Sequence, residues 1–169
     1  MVYLITFSCY GTHLHGNERG SVDRDHNLVG SRLVPPDRKR VSMVSTAMQD
    51  SVYRLDERRR EVVLASVRRT CSCRGWMPLA IHVRTTHVHC VLGAEEQPER
   101  VMNALKSHAS RALNEVGIDE VDRKRWDRHG STRYLNTGEA VRRAIAYVVE
   151  GQGAPMAVYV HPLPGGRGS

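Results

Sequence analysis

Long apolar runs are absent from this chain of 169 residues. No stretch reaches the roughly 18 apolar residues that could cross a bilayer. Met1-Val2-Tyr3-Leu4 opens straight into strand-like sequence, without the charged and apolar regions of a secretory leader. The expectation is a cytoplasmic protein with no membrane partner. Aromatics are sparse, at 5% with a single Phe. Spaced cysteine pairs are missing too. Cys9, Cys71, Cys73 and Cys90 do not make two pairs of ligands, and Cys71-x-Cys73 within a helix-like stretch is poor zinc spacing. Reduced, structural thiols are expected. No Ser/His/Asp arrangement and no cluster of carboxylates is legible, and no internal repeat is visible.

What is present is positive charge. The formal net charge is +7, which suits a partner carrying phosphates. The length suits one domain, over residues 1–160, with enough chain to bury a real core. Residues 161–169 read as a disordered tail.

The most informative stretch is Leu79 to Leu92. It reads as two short apolar runs joined by a polar turn, Arg84-Thr85-Thr86. Side chains on a strand alternate between faces. His87 and His89 therefore point the same way, while Val88, Cys90 and Leu92 point into a core. Two imidazoles on one supported face form a pincer for a divalent metal. His13-Leu14-His15 spells the same pattern, but no apolar strand runs on from it, so it reads as loop.

Around that hairpin, Val2 to Tyr10 is rich in β-formers and predicts a first strand. Gly11 to about Pro36 is a long loop, followed by a basic turn at Pro35-Pro36-Asp37-Arg38-Lys39-Arg40. A short helix is expected over Ser42 to Val52. A clearer helix runs from about Asp56, its cap, to Cys73, with Val62, Val63, Ala65, Ser66 and Val67 as its apolar stripe and Gly75 as its stop. Pro98 opens another. Its stripe is Val101, Met102, Leu105, Ala109, Ala112, Leu113 and Val116, with Lys106, His108 and Arg111 pointing away.

Residues 118–136 are irregular and basic. Arg125, Arg128 and Arg133 are interleaved with Trp126 and Tyr134, as suits single-stranded nucleic acid, although both aromatics could equally anchor the loop to the core. Asn136 with Glu139 reads as a capping box for a last helix. Its apolar positions are Val141, Ala144, Ile145 and Val148. Tyr147 falls at the edge of that stripe, on the side of Arg143 and Glu150. Met156 to Val160 is a final strand or a packed tail.

Two histidines leave a divalent ion short of ligands, and a polyanionic partner supplies phosphate oxygens naturally. An ion gripping a phosphodiester stabilises charge in the transition state. A tyrosine at a helix edge is then a workable nucleophile if its phenol is activated, because phenols ionise only near pH ~10. Tyr147 is the first candidate and Tyr134 its rival.

The ordered set is His87-Val88-His89 in an apolar strand, Ala104 to Arg111 on a helix, Trp126, and Ala144-Ile145-Ala146-Tyr147-Val148 on a late helix. It resembles the HUH single-tyrosine transposases, including the REP-associated tyrosine transposases, over roughly residues 2–160. The resemblance implies an α+β, ferredoxin-like sandwich with helices packed on a central antiparallel sheet. It implies Mg²⁺ or Mn²⁺ at His87 and His89. It also implies attack by Tyr147 on single-stranded DNA marked by a hairpin, through a 5′-phosphotyrosine link and a free 3′-OH. Lys106 and Arg111 match a basic helix and would lie near DNA, with Arg125, Trp126, Arg128, Arg133 and Arg143 as further contacts. Relatives show Pro-Asn where this chain has Thr85-Thr86. The amide ligand expected four residues after the tyrosine falls on Gly151, flanked by Glu150 and Gln152, either of which could serve. The chain could act as monomer or homodimer. Two alternatives stay open: a domesticated hairpin-binding module that does not cut, and a metal-dependent hydrolase with no DNA role.

Overall fold

The computed structural model describes residues 1–12 and 51–162. The His13–His15 pair, the basic turn at 35–40, residues 42–50 of the helix expected before Tyr53, and the tail from residue 163 lie outside the described residues. Among the described residues, five strands and three helices follow in the order β1 (Val2–Cys9), α1 (Glu57–Arg74), β2 (Met77–Val83), β3 (His87–Gly93), α2 (Pro98–Glu115), β4 (Trp126–Tyr134), α3 (Gly138–Val149) and β5 (Ala157–Val160). The strands form one sheet ordered β4-β1-β3-β2-β5, and every pairing is antiparallel. The first four strands with α1 and α2 have the βαββαβ succession and the 4-1-3-2 order of a ferredoxin-like sandwich.

Alternation along the strands separates two faces. Tyr3, Ile5, Phe7 and Cys9 of β1, Ile81 and Val83 of β2, and Val88, Cys90 and Leu92 of β3 are buried together with Val63 and Val67 of α1 and Val101, Leu105 and Leu113 of α2. This is the main core. The opposite face carries a smaller cluster: Ala80, Val91 and Leu135 against Ala144 and Val148 of α3. The same face carries His87 and His89.

The helix boundaries follow from local chemistry. Asp56 caps α1, its carboxylate accepting from the Arg59 amide, and Gly75 closes it in the left-handed region at φ 69°. The buried side of α1 is Val63, Leu64, Ser66, Val67, Thr70 and Cys71. Ala65, expected inside, is exposed, because the inward stripe runs 63-67-70 and leaves it outward. The last helix starts one residue later than Asn136 would dictate. Thr137 is its cap, with Oγ1 accepting from the Ala140 amide at 3.1 Å.

The larger correction concerns the basic stretch read as irregular, which holds β4, a nine-residue edge strand. Trp-Asp-Arg-His-Gly-Ser-Thr-Arg-Tyr lacks apolar alternation because it pairs only with β1 and lies largely open on both faces. Gly130 is needed there. A Cβ would sit 2.5 Å from Met102 Sδ and from the Thr6 carbonyl.

Candidate active site

Register builds the site. Thr6 of β1 pairs with His89 of β3, which pairs with His82 of β2, and Thr6 also pairs with Ser131 of β4. Direct partners share a face, so Ser131, Thr6, His89 and His82 form one row across the sheet, with His87 one step along β3. The rings of His87 and His89 lie 4.6 Å apart at 80°. Thr6 Oγ1 shares a 2.8 Å hydrogen bond with His89 Nδ1. Thr86 Oγ1 lies 2.9 Å from His87 Nδ1. The Thr85-Thr86 turn therefore does more than reverse the chain, since it engages one of the histidines.

The other ring nitrogen of His89, Nε2, is buried and has no hydrogen-bond partner. An orphaned buried nitrogen costs stability unless something comes to it. Burial and then the neighbouring His87 push the His89 pKa down to about 4, while interaction with the Gln152 side chain pulls it partly back. The imidazole is thus neutral at pH 7 and keeps a lone pair for a ligand. Gln152 lies close but makes no well-formed hydrogen bond to Nε2. Its own amide donates to the Tyr147 carbonyl at 3.2 Å.

Tyr147 completes the group. Its ring sits 5.6 Å from that of His89, edge to face, and the residue is 48% exposed. Helical spacing puts Ala144 and Val148 inward and leaves Tyr147 at the margin, as its sequence position requires. Gly151 shapes the turn beneath it. A Cβ at 151 would lie 2.8 Å from the Tyr147 carbonyl oxygen and 3.1 Å from its Cα. The amide expected at 151 has no room there, and Gln152 one step on carries it toward His89. Glu150 is the exposed C-cap of α3. Among the described residues no group of three or more His, Cys, Asp or Glu side chains gathers for a metal. A divalent ion would take two imidazoles and the Gln152 amide, with its remaining positions open to oxygen. The donor set and the orphaned Nε2 fit such an ion.

The candidate DNA contacts divide. Arg111, Arg128, Arg133 and Arg143 are exposed. Lys106 is not. It is buried, and Nζ donates to the carbonyls of Asp127, Arg128 and His129 at 2.9, 3.4 and 3.2 Å. These carbonyls lie where β1 and β4 slip register between Phe7 and Cys9, so the ammonium satisfies oxygens the ladder misses. Burial lowers the Lys106 pKa. Arg125 is buried as well, bonded to Asp119 at 3.3 Å and to Asn114 Oδ1 at 2.7 Å. The Trp126 indole donates to the Lys106 carbonyl and to Ser110 Oγ, both at 3.0 Å, and packs edge-on to Phe7. Lys106 and Trp126 hold β4 to α2, and Arg125, the residue just before β4, is tied to Asn114 of α2 and to Asp119. Tyr134 ends β4 with its ring against Tyr3 and its hydroxyl donating to Gln97. It engages neither histidine.

Sequence reading missed Thr6 and His82. His82 was legible. Counting back across the Arg84–Thr86 turn pairs 83 with 88 and 82 with 89. Thr6 required the strand order.

Fold and site together define an α+β sandwich with a histidine pair and a half-exposed tyrosine on one open sheet face. No family model and no curated protein matches the chain. Among solved structures it is similar to a REP-associated tyrosine transposase bound to a REP hairpin. The TM-score is 0.47 at 10% identity, covering 88% of this chain and 64% of that one. It is also similar to a candidate transposase from Deinococcus radiodurans R1, with a TM-score of 0.45 at 15% identity and 90% of each chain covered. The chain thus spans 64% of the length of the first. Among the described residues no helix is long and apolar enough to cross a membrane.

Proposed function

We propose that the protein is a DNA strand transferase of the HUH single-tyrosine transposase type, with Tyr147 as nucleophile. The observation carrying this reading is the Tyr147 ring against His89, whose buried Nε2 lacks a partner. A half-exposed tyrosine against the histidine pair supports attack by its phenol oxygen over a hydrolase with no DNA role.

The Tyr147 phenol gives up its proton and its oxygen attacks a phosphorus of single-stranded DNA. The bond from phosphorus to the 3′-oxygen breaks, and that oxygen leaves as a 3′-OH after taking up a proton. The 5′-phosphate stays on Tyr147 as a diester, so a second 3′-OH can reverse the step without outside energy. His87, His89 and Gln152 would hold Mg²⁺ or Mn²⁺, which supplies charge stabilisation at the phosphate. Thr6 fixes the His89 ring through Nδ1. Arg111, Arg128, Arg133 and Arg143 supply positive charge for the backbone.

The test is a labelled hairpin-bearing single-stranded oligonucleotide with Mn²⁺. A denaturant-stable protein–DNA adduct is expected, lost in Tyr147→Phe and on addition of EDTA. Hairpin binding without any adduct would overturn the reading in favour of a binding module.

A further inference from the structure

His82 is fully buried, yet both its ring nitrogens are occupied by backbone. Nδ1 donates to the Val148 carbonyl at 2.8 Å, and Nε2 accepts from the Met156 amide at 3.1 Å. A carbonyl only accepts and an amide N–H only donates, so these two contacts fix the tautomer with its proton on Nδ1. The geometry gives the ring more than a packing role. Val148 is the penultimate residue of α3. Its carbonyl is one of the last four in a helix, which have no partner within it. A side chain from the sheet supplies that partner. Met156 immediately precedes β5, which pairs with β2. One imidazole therefore grips the chain just after Tyr147 and again just before β5. Between these grips runs a return of seven residues, 149–155, with Gln152 at its centre.

Other contacts tie the return in the same sense. The Gly151 amide donates to the carbonyls of Ala146 and Tyr147, and Arg84 donates to the Ala154 carbonyl at 2.9 Å. Arg84 Nη1 also lies 3.5 Å from His82 Nε2 and so leans on the same ring. His82 itself joins the return to the histidine row, because it is the direct cross-strand partner of His89.

From this bridge between helix end and strand start we infer that His82 is a positioning residue. It holds Tyr147 and Gln152 in register with the His87–His89 pair. An apolar residue of similar size would fill the volume and leave the Val148 carbonyl and the Met156 amide unpaired. The α3 end and the return could then shift relative to β3. This inference rests on the proposed chemistry only for its effect on rate, because the positional effect is measurable without DNA.

The experiment compares wild type with His82→Leu and His82→Gln. Gln keeps one amide donor and one acceptor and can make part of the bridge. NMR reads the cross-peaks between the Tyr147 and His89 rings and the hydrogen exchange of the Met156 amide. Single-turnover adduct formation with saturating hairpin oligonucleotide reads the rate per bound complex. His82→Leu should lose the cross-peaks, expose the Met156 amide, and slow adduct formation about 100-fold, the scale of a misplacement near 1 Å. Hairpin affinity should hold, and His82→Gln should recover part of each signal. A mere loss of stability would instead shrink the folded fraction, lowering binding amplitude and adduct yield together. If His82→Leu does not fold, His82→Gln carries the comparison through its Met156 exchange and rate. Wild-type cross-peaks and Met156 protection in the variants would overturn the inference. If wild type forms no adduct, the proposed function fails, and cross-peaks and exchange alone decide the role of His82.

Discussion

The two faces of this sheet are built from the same strands and do opposite things. On the α1/α2 face every inward side chain of β1 and β3 is apolar and closed over by two helices. On the α3 face the same strands offer Thr6, His87 and His89, and a single helix of twelve residues covers part of the surface. Alternation makes this division possible. A strand can commit one set of residues to burial and the other set to chemistry without conflict between them. A helix shares its faces less sharply, and that is visible in Lys106, which lies on the inward side of α2.

The comparison breaks most readily at His89 and Phe7. His89→Ala should reduce adduct formation below detection while costing less stability than Phe7→Ala, since the lost Thr6 hydrogen bond and the cavity are partly offset by removing a buried nitrogen without a partner. Phe7→Ala should do the reverse, costing about 3–5 kcal/mol of stability while the folded fraction still forms adduct. Calorimetry and a gel assay on the same preparations decide it. If Phe7→Ala alters the rate per folded molecule as strongly as His89→Ala does, the two faces are not separable.

Lys106→Met should cost about 1–3 kcal/mol, by stranding β4 carbonyls, and leave the salt dependence of DNA binding unchanged. Arg133→Ala should leave stability alone and reduce the slope of log affinity against log salt by about one unit. Identical slopes for wild type and Arg133→Ala would remove Arg133 from the DNA surface.

A third case lies on the closed face. Burial alone would raise the Asp119 pKa, but hydrogen bonds from Arg59, Tyr53 and Arg125 outweigh it and lower the value. The folded carboxyl thus resists protonation more than the unfolded one, whose pKa is about 4. Its contribution is complete above that value and fades as pH falls through the folded one. Thermal midpoints measured between about pH 2 and 6 should drop less steeply on the acid side in Asp119→Asn, which is already destabilised at neutral pH. A parallel pair of curves would contradict this. The smallest effect belongs to Arg143→Ala. Its contact with Glu139 spans 3.7 Å between highly exposed side chains, so stability should change by well under ~1 kcal/mol in denaturant titration.

Much of this was legible before the fold was known. Period-two alternation placed His87 and His89 on one face, and period 3.6 placed Tyr147 at the helix margin. Those are local signals. What escaped depended on pairing across distance. Lys106 reads as an outward polar residue until β4 is seen to leave carbonyls above it, although its spacing of four from Met102 and three from Ala109 hints at the inward side. Arg125 reads as DNA-facing until Asp119 and Asn114 are placed beside it. β4 itself was hidden because an open edge strand needs no apolar pattern.

Gly151 bears on how this sequence can change over generations. Any side chain there must displace the backbone of Tyr147. Change at that one codon is therefore opposed by the backbone of the residue four places upstream. Under the proposed function, the amide ligand falls to Gln152, five residues after Tyr147.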